Sequence, residues 1–436
     1  MKRILSVLLS VIVCTGILLP CCYAQTAPEI TAVSALVTER KTGTVLFEKD
    51  IDSRVYPASM TKIMTCLLAL ERLRLSDTVT VSATALENLD KEGSTAYLSE
   101  GEQLPVQDLL YCLMISSANE AANIVAENVS GSVPAFVELM NSRAAELGCT
   151  ATHFANPHGL HDEDHYTTVR DLSKIAEAAL ADPVFRTICS TATYTVPATN
   201  LSEKRTLTTT NQLIHNKAGN PYYDSRVTGV KTGFTTPAGR CLIASAEDEN
   251  LSLLSIVCGC PTKILEDGNL EFGSFTDTKL LLDYAFSSYT YTELLNTLYP
   301  ITEVPVFHAN SASSAPLAPC EKIRVLLPVD YAPEKITYDI SLTTPEGIEA
   351  PITAGEVLGT VTAKYEDTVL GTVELITIAD IARAALFSRG NALGTVLLIL
   401  LIGLLIIAVV FLCISSLRSR RRGKRQHSGG ARRMEP

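Results

Sequence analysis

The chain has 436 residues, 47% hydrophobic and 19% charged, which is ample apolar content for more than one core and excludes a disordered polymer. Between its two most apolar runs lie 26 basic and 46 acidic residues, a balance that repels phosphate backbones and excludes nucleic-acid binding. The runs themselves, one at each end, exclude a soluble cytosolic protein.

Met1-Lys2-Arg3 precedes an apolar stretch from Ile4 to Pro20, followed by Cys-Cys-Tyr-Ala. A charged start, a short hydrophobic run and a small residue at its exit read as a signal peptide over residues 1–24. Lipid attachment at Cys21 or Cys22 is the weaker reading, because Pro20 sits poorly before such a cysteine. Val33–Val37 and Val45–Glu48 flank a polar turn at Glu39–Gly43 and predict a β-hairpin. From Met60 to Arg74, Ile63, Met64, Leu67, Leu68 and Leu70 recur at helical spacing. Further helices are expected over Leu109–Ile115, Ala121–Val129, Val133–Leu147 and Asp171–Ala181. Cys241–Ala246 and Leu251–Cys258 predict a strand pair, and Asp277–Ser287 a closing helix. This order gives an α+β unit, helices stacked on one antiparallel sheet, over residues 25–295.

His308–Pro319 is small, polar and proline-containing, and reads as a linker or surface loop. Lys322–Leu327, Ile336–Leu342, Ile348–Ile352, Val357–Lys364 and Val369–Ile376 then predict a small all-β domain over residues 296–378. After a linker at 379–392, Leu393–Ile414 gives 22 uncharged residues, enough to span a bilayer as one helix. Arg418, Arg420, Arg421, Arg422, Lys424 and Arg425 follow at once, so the tail at 415–436 is expected in the cytoplasm and the bulk of the chain outside. Eight cysteines lie in that outer segment. An even count permits disulfides there, yet several fall within apolar helix and strand patterns, so buried free thiols are expected for most.

Three short motifs carry chemistry. Ser59 and Lys62, in Tyr56-Pro-Ala-Ser-Met-Thr-Lys62, are three apart at a helix start, where hydroxyl and amine share a face. A serine hydroxyl needs a neighbour to take its proton, and lysine does so when burial or another cation lowers its pKa. Ser117-Ala118-Asn119 falls between two helical stretches. Taken alone, Ser59 and Ser117 are each better explained as helix N-caps. Lys231-Thr232-Gly233 opens the strand region, where a cation, a hydroxyl and a close backbone suit a substrate carboxylate. Lys41-Thr42-Gly43 repeats the triplet at a hairpin tip before Ser59, and order and context reject it. His158, His161 and His165 surround Asp162-Glu163-Asp164, but Pro157 and Gly159 make this a loop. A solvated loop is preferred there over a zinc site, or over Glu163 as a deacylating base.

Ser-x-x-Lys, Ser-x-Asn and Lys-Thr-Gly in this order follow a known catalytic pattern. The sequence resembles the D-alanyl-D-alanine carboxypeptidases, the low-molecular-weight penicillin-binding proteins. Asn156-Pro-His-Gly-Leu160 and Ala238-Gly-Arg-Cys-Leu-Ile-Ala-Ser-Ala246 extend the likeness to about residues 30–290. The chain departs from the family in Ala118, where glycine is usual, and in its full membrane span, where many relatives use an amphipathic helix.

The resemblance implies a β-lactamase/transpeptidase-like domain in a bacterial cell membrane. It implies Ser59 as acylated nucleophile, Lys62 as general base and Ser117 as proton relay. Asn119 would position substrate, and Lys231 with Thr232 would hold its terminal carboxylate. The Ser59 and Phe234 N–H groups would form the oxyanion hole. The substrate implied is a peptidoglycan stem peptide ending in D-Ala-D-Ala, with β-lactams as covalent inhibitors and no metal or cofactor. A serine β-lactamase is the nearest alternative, opposed by Ala118 in place of Asp and by the extra domain. A β-lactam sensor is opposed by a tail too short to fold. Intact motifs oppose a purely structural wall-binding protein.

Overall fold

The computed structural model of the chain describes residues 26–87, 89, 93–384 and 392–425. The signal peptide expected at 1–24 and the end of the basic tail lie outside the described residues. Compactness divides the chain after Tyr291, with Leu327–Asp330 belonging to the first unit and Tyr331 onward to the second.

The first unit begins with strands β1 (Ser34–Glu39) and β2 (Val45–Lys49), paired as the expected hairpin. A 3-10 turn at Ala58–Thr61 runs into α1 (Lys62–Arg72). Four helices follow: α2 (Val106–Met114), α3 (Asn119–Ser130), α4 (Val133–Glu146) and α5 (Val169–Leu180). A fifth, α6 (Pro183–Ser190), was missed by hydrophobic periodicity. Its start is nonetheless written locally, with Pro183 in the first turn and the Asp182 carboxylate accepting from Val184 and Phe185 N–H. Strands β3 (Val227–Thr235), β4 (Gly239–Glu247) and β5 (Ser252–Cys260) complete a five-stranded antiparallel sheet, ordered β2-β1-β5-β4-β3. A hairpin of β6 (Thr262–Ile264) and β7 (Leu270–Phe272) then leads to helix α7 (Gly273–Ser288).

Leu253 through Cys258 are all buried, so the centre of the sheet is covered on both faces. One face meets the helical core, where Leu36, Leu254 and Ile256 join Ile63, Leu109 and Ile175. Helix α7 packs on β1, β2, β4 and β5. Its Asp277 carboxylate, buried, accepts from the N–H groups of Thr31 (3.0 Å) and Ala32 (2.7 Å) and from the Thr31 hydroxyl (2.8 Å). The α+β architecture is therefore as expected. The third motif, however, lies within the sheet on its edge strand β3, not ahead of it.

The second unit holds a six-stranded sheet. Its strands are β8 (Thr302–Phe307), β9 (Ser314–Pro319), β10 (Ile336–Leu342), β11 (Ile348–Glu349), β12 (Val357–Tyr365) and β13 (Thr368–Thr377), ordered β10-β12-β13-β9-β8-β11. The linker expected at His308–Pro319 is thus corrected: its second half is strand β9, with Ala315 and Leu317 wholly buried. Pro316 and Pro319 cannot donate to a ladder, which hid the alternation of this strand.

Helix α8 (Ala392–Arg425) contains the 26-residue stretch Leu393–Arg418, long and apolar enough to cross a membrane, with none of its most apolar part buried. This is consistent with a single-pass C-terminal anchor. A chain ending after Ala384 should partition into the soluble fraction on ultracentrifugation and keep its activity. Retention with membranes would reveal a second attachment, at Cys21 or Cys22. Ending earlier, at Ala379, removes Ile381, which is buried and bonded to the Ile352 carbonyl (2.9 Å). That loss should cost the second unit about 2 kcal/mol in urea unfolding.

Candidate active site

The first motif sits where the chain enters α1. Neither serine acts as a helix cap: the 3-10 turn and α1 are preceded by Pro57 and Thr61, and α3 by Ala118, none with a side-chain cap bond. Ala58 and Ser117 both hold positive φ (47° and 61°), a conformation that costs about 1–3 kcal/mol per residue and clusters at functional sites. Ala118, with φ −58°, places no demand for the glycine usual in the family.

Lys62 is wholly buried, and its amine touches three oxygens. Nζ lies 2.7 Å from Asn119 Oδ1, 2.6 Å from the His158 carbonyl and 3.1 Å from Ser59 Oγ. Burial holds its pKa well below the usual lysine value, the Lys231 charge lowers it further, and Glu120 opposes both. A neutral amine has two N–H groups and one lone pair. The Asn119 oxygen and the His158 carbonyl can only accept, so they take the two N–H groups. The lone pair is left for the Ser59 hydroxyl, the one neighbour able to donate.

The loop at 156–165 is not simply a solvated face, which corrects the sequence expectation. His165 is buried; its Nδ1 accepts from Ala155 N–H (2.9 Å), so Nε2 carries the proton and donates to Thr61 Oγ1 (2.7 Å). Thr61 in turn donates to the Ala58 carbonyl (2.8 Å), and Thr65 to that of Pro157 (2.6 Å). Burial lowers the pKa of His165 to about 4 and that of His158 to about 3, Lys62 adding to the latter. His161 faces outward instead, against the Tyr56 ring and the Glu163 carboxylate. The His161 and His165 rings are therefore committed to different partners. Glu163 itself is exposed and accepts from the Tyr56 hydroxyl (2.9 Å), which lowers its pKa.

Gly159 locks this loop onto the turn that carries Ser59. A Cβ there would lie 1.9 Å from the Ala58 carbonyl oxygen, and its φ is +87°. Gly159→Ala should cost about 3 kcal/mol in denaturant unfolding and displace Ser59, so activity should fall even in the folded fraction.

Ser59, Ser117, Asn119 and Thr232 line one cleft of about 660 Å³. Strand alternation puts Lys231 and Gly233 on one face of β3, and Thr232 and Phe234 on the other. A Cβ on Gly233 would come within 3.3 Å of the Ser59 nitrogen, so glycine lets the strand close on the turn. Lys231 is buried, its Nζ donates to the Thr232 carbonyl (3.0 Å), and burial lowers its pKa to about 7. The Thr232 hydroxyl faces the cleft and bonds the Thr210 hydroxyl (2.6 Å). Lys41-Thr42-Gly43 sits apart at the exposed β1–β2 turn, where Gly43 supplies a φ of 72°.

Residues 22–262 match the family model described as D-alanyl-D-alanine carboxypeptidase. The chain belongs to the D-alanyl-D-alanine carboxypeptidase family. Residues 289–383 of the enzyme match the C-terminal domain of penicillin-binding protein 5. It is 34% identical to the D-alanyl-D-alanine carboxypeptidase DacF of Bacillus subtilis, over 88% of this chain and 96% of that one. Among solved structures it is similar to penicillin-binding protein 5 from Haemophilus influenzae (28% identity, TM-score 0.59, covering 82% of this chain and 99% of that one). It is also similar to the Streptomyces K15 DD-transpeptidase (30% identity, TM-score 0.54, covering 60% and 99%).

Four residues in or beside this cleft received no role from the sequence. The His158 carbonyl is a backbone acceptor and has no residue signature. His165 and Thr210 act through other side chains. Arg240 stood in a quoted motif, but a single strand arginine carries no spacing pattern.

Proposed function

We propose that this family member, a serine-type D-Ala-D-Ala carboxypeptidase of peptidoglycan, works through an acyl-enzyme at Ser59. The Ser59 oxygen attacks the carbonyl between the two D-alanines and passes its proton to Lys62 Nζ. Ser117 relays that proton to the departing amine. The C–N bond breaks, D-Ala leaves, and water then hydrolyses the ester. Asn119 fixes Lys62 and the substrate. The Ser59 and Phe234 N–H groups stabilise the oxyanion, a contribution of about 3–4 kcal/mol. Thr232 contacts the terminal carboxylate, with Lys231 supplying positive charge beside it and keeping Lys62 neutral. Residues 25–295 form the catalytic domain and 296–378 the accessory one, held outside the cell by α8 with its basic end inward.

The observation that carries this reading is the Lys62 amine, buried 3.1 Å from Ser59 Oγ with its donors engaged elsewhere. The test is to incubate the detergent-solubilised chain with a D-Ala-D-Ala-ended peptide and assay free D-Ala. Turnover is expected. Penicillin hydrolysis without D-Ala release would favour a β-lactamase, and a stable penicillin adduct with no peptide turnover would favour a sensor.

A further inference from the structure

Four non-glycine residues of the first unit hold positive φ among the described residues: Asp50, Ala58, Tyr97 and Ser117. Ala58 and Ser117 belong to the turns that carry the first two motifs, and aspartate is a residue type that tolerates this region. Tyr97, at φ 59°, has neither reason. A bulky side chain is strained in that conformation. Its ring is also 82% exposed, against 52% for Phe234 at the cleft. A strained backbone that holds an aromatic ring out in water points to a use for the ring.

The chain around Tyr97 is fixed from both sides. Gly93 and Ser94 line the cleft with Ser59 and Ser117, and the Ser94 carbonyl accepts from Asn119 N–H at 2.9 Å. The Glu120 carboxylate, buried on α3, accepts from Thr95 Oγ1 and from Ala96 N–H, both at 2.7 Å. Tyr97 N–H donates back to Thr95 Oγ1 (2.9 Å). From the other side, the Arg205 guanidinium donates to the carbonyls of Ala96 (2.8 Å) and Tyr97 (3.2 Å). Arg205 also pairs with the wholly buried Glu102, whose other oxygen accepts from Ser99 N–H (3.1 Å). Three charged side chains thus hold one short stretch of backbone, with its ring in solvent three residues from the cleft wall.

Three residues span at most about 10 Å, and an extended peptide covers that distance in as many residues. In the reading given above, the Thr232 side of the cleft takes the carboxyl end of a bound stem peptide. The Ser94 wall is left for the opposite end, which is joined to a sugar of the glycan. A pyranose ring presents C–H groups on one face; these suit the electron-rich face of an aromatic ring, while the sugar hydroxyls stay in water. We propose that Tyr97 is a specificity determinant at the rim of this cleft: its ring stacks on the sugar that carries the stem peptide, so the enzyme favours glycan-borne stems over free peptides. The inference rests on the reading of Ser59 as the acylated residue. The left-handed backbone turns the ring outward, and Glu120, Arg205 and Glu102 hold it there before substrate arrives, so little freedom is lost on binding.

The test uses the detergent-solubilised full chain and two probes. One is a disaccharide-linked stem peptide ending in D-Ala-D-Ala, the other the same peptide without its sugars and N-acetylated. Release of D-Ala gives kcat/KM for each. The wild-type chain should prefer the sugar-linked probe by about fivefold to tenfold. Tyr97→Phe should keep that preference, whereas Tyr97→Ala should abolish it and leave the sugar-free probe within about twofold. Tyr97→Gly suits the positive φ, so it should unfold at no lower urea concentration than the wild type and still lose the preference, which separates the ring from the backbone. Equal losses on both probes, a preference that survived in Tyr97→Ala and Tyr97→Gly, or a wild-type chain with no preference would overturn the assignment of Tyr97 alone. A wild-type chain that released D-Ala from neither probe would overturn the Ser59 reading and this inference with it.

Discussion

Replacing Lys62 with alanine should slow acylation by about 10²–10⁴-fold, the usual worth of a positioned general base. The amine donates to the Asn119 oxygen and the His158 carbonyl, so its removal also strands two buried acceptors. That loss should lower unfolding stability by about 1–3 kcal/mol, partly offset because no amine then has to be buried without water. A folding defect and a chemical defect are therefore both expected, and one experiment separates them. A small primary amine added to Lys62→Ala should recover part of the acylation rate, because the vacated space adjoins Ser59. Restored stability without restored acylation would make Lys62 a structural residue.

The second large effect concerns Lys231 and pH. Lys62 accepts a proton only when neutral, so acylation should rise with pH as Lys62 loses its proton. Burial is the larger cause of its lowered pKa and the Lys231 charge the next. Lys231→Ala removes only the second cause. The rising limb should therefore move to higher pH but stay below the ordinary lysine value of 10.5, while kcat/KM falls about tenfold or more. His158, held to about 3, is neutral throughout this range and cannot produce the limb. Lys41→Ala, at the exposed hairpin turn, should leave the profile unchanged and stability within about 0.5 kcal/mol. A limb that stayed in place in Lys231→Ala, or moved down, would show that the two amines do not interact.

The same linkage bears on the fold. The unfolded chain carries Lys62 and Lys231 protonated up to near 10.5, whereas the folded chain releases those protons at lower pH. The unfolded state binds more protons between these limits, so stability should rise with pH across that window. For Lys231 the window opens at about 7.

What the sequence disclosed divides along physical lines. The Ser59–Lys62 pair was legible because an i,i+3 spacing at a helix start fixes proximity without tertiary knowledge. The β1–β2 hairpin and helices α1 to α5 announced themselves by period. Strand β9 did not, because Pro316 and Pro319 mimic loop composition while Ala315 and Leu317 carry the buried face. Of the outer eight cysteines, seven are buried, several within β4, β5 and the helices where their apolar context pointed, and Cys320 alone is exposed. The loop at 156–165 was only half legible. Its histidines invited a metal reading, but His165 is engaged by the Thr61 hydroxyl from a distant part of the chain and by the Ala155 amide, and His161 by the Glu163 carboxylate of the loop itself. The setting of Arg240 was hidden too, since its side-chain partners Phe272 and Thr262 lie more than twenty residues onward.

The central claim is that Ser59 is the residue that becomes acylated. The direct measurement is brief exposure of the chain to a labelled penicillin, followed by digestion and mass analysis of the modified peptide. The account predicts one adduct, on the peptide containing Ser59, persisting for many minutes because Glu163 is turned outward onto Tyr56. Ser59→Ala should abolish it in a protein that still unfolds cooperatively. An adduct on any other residue, or one that survives Ser59→Ala, would contradict the account.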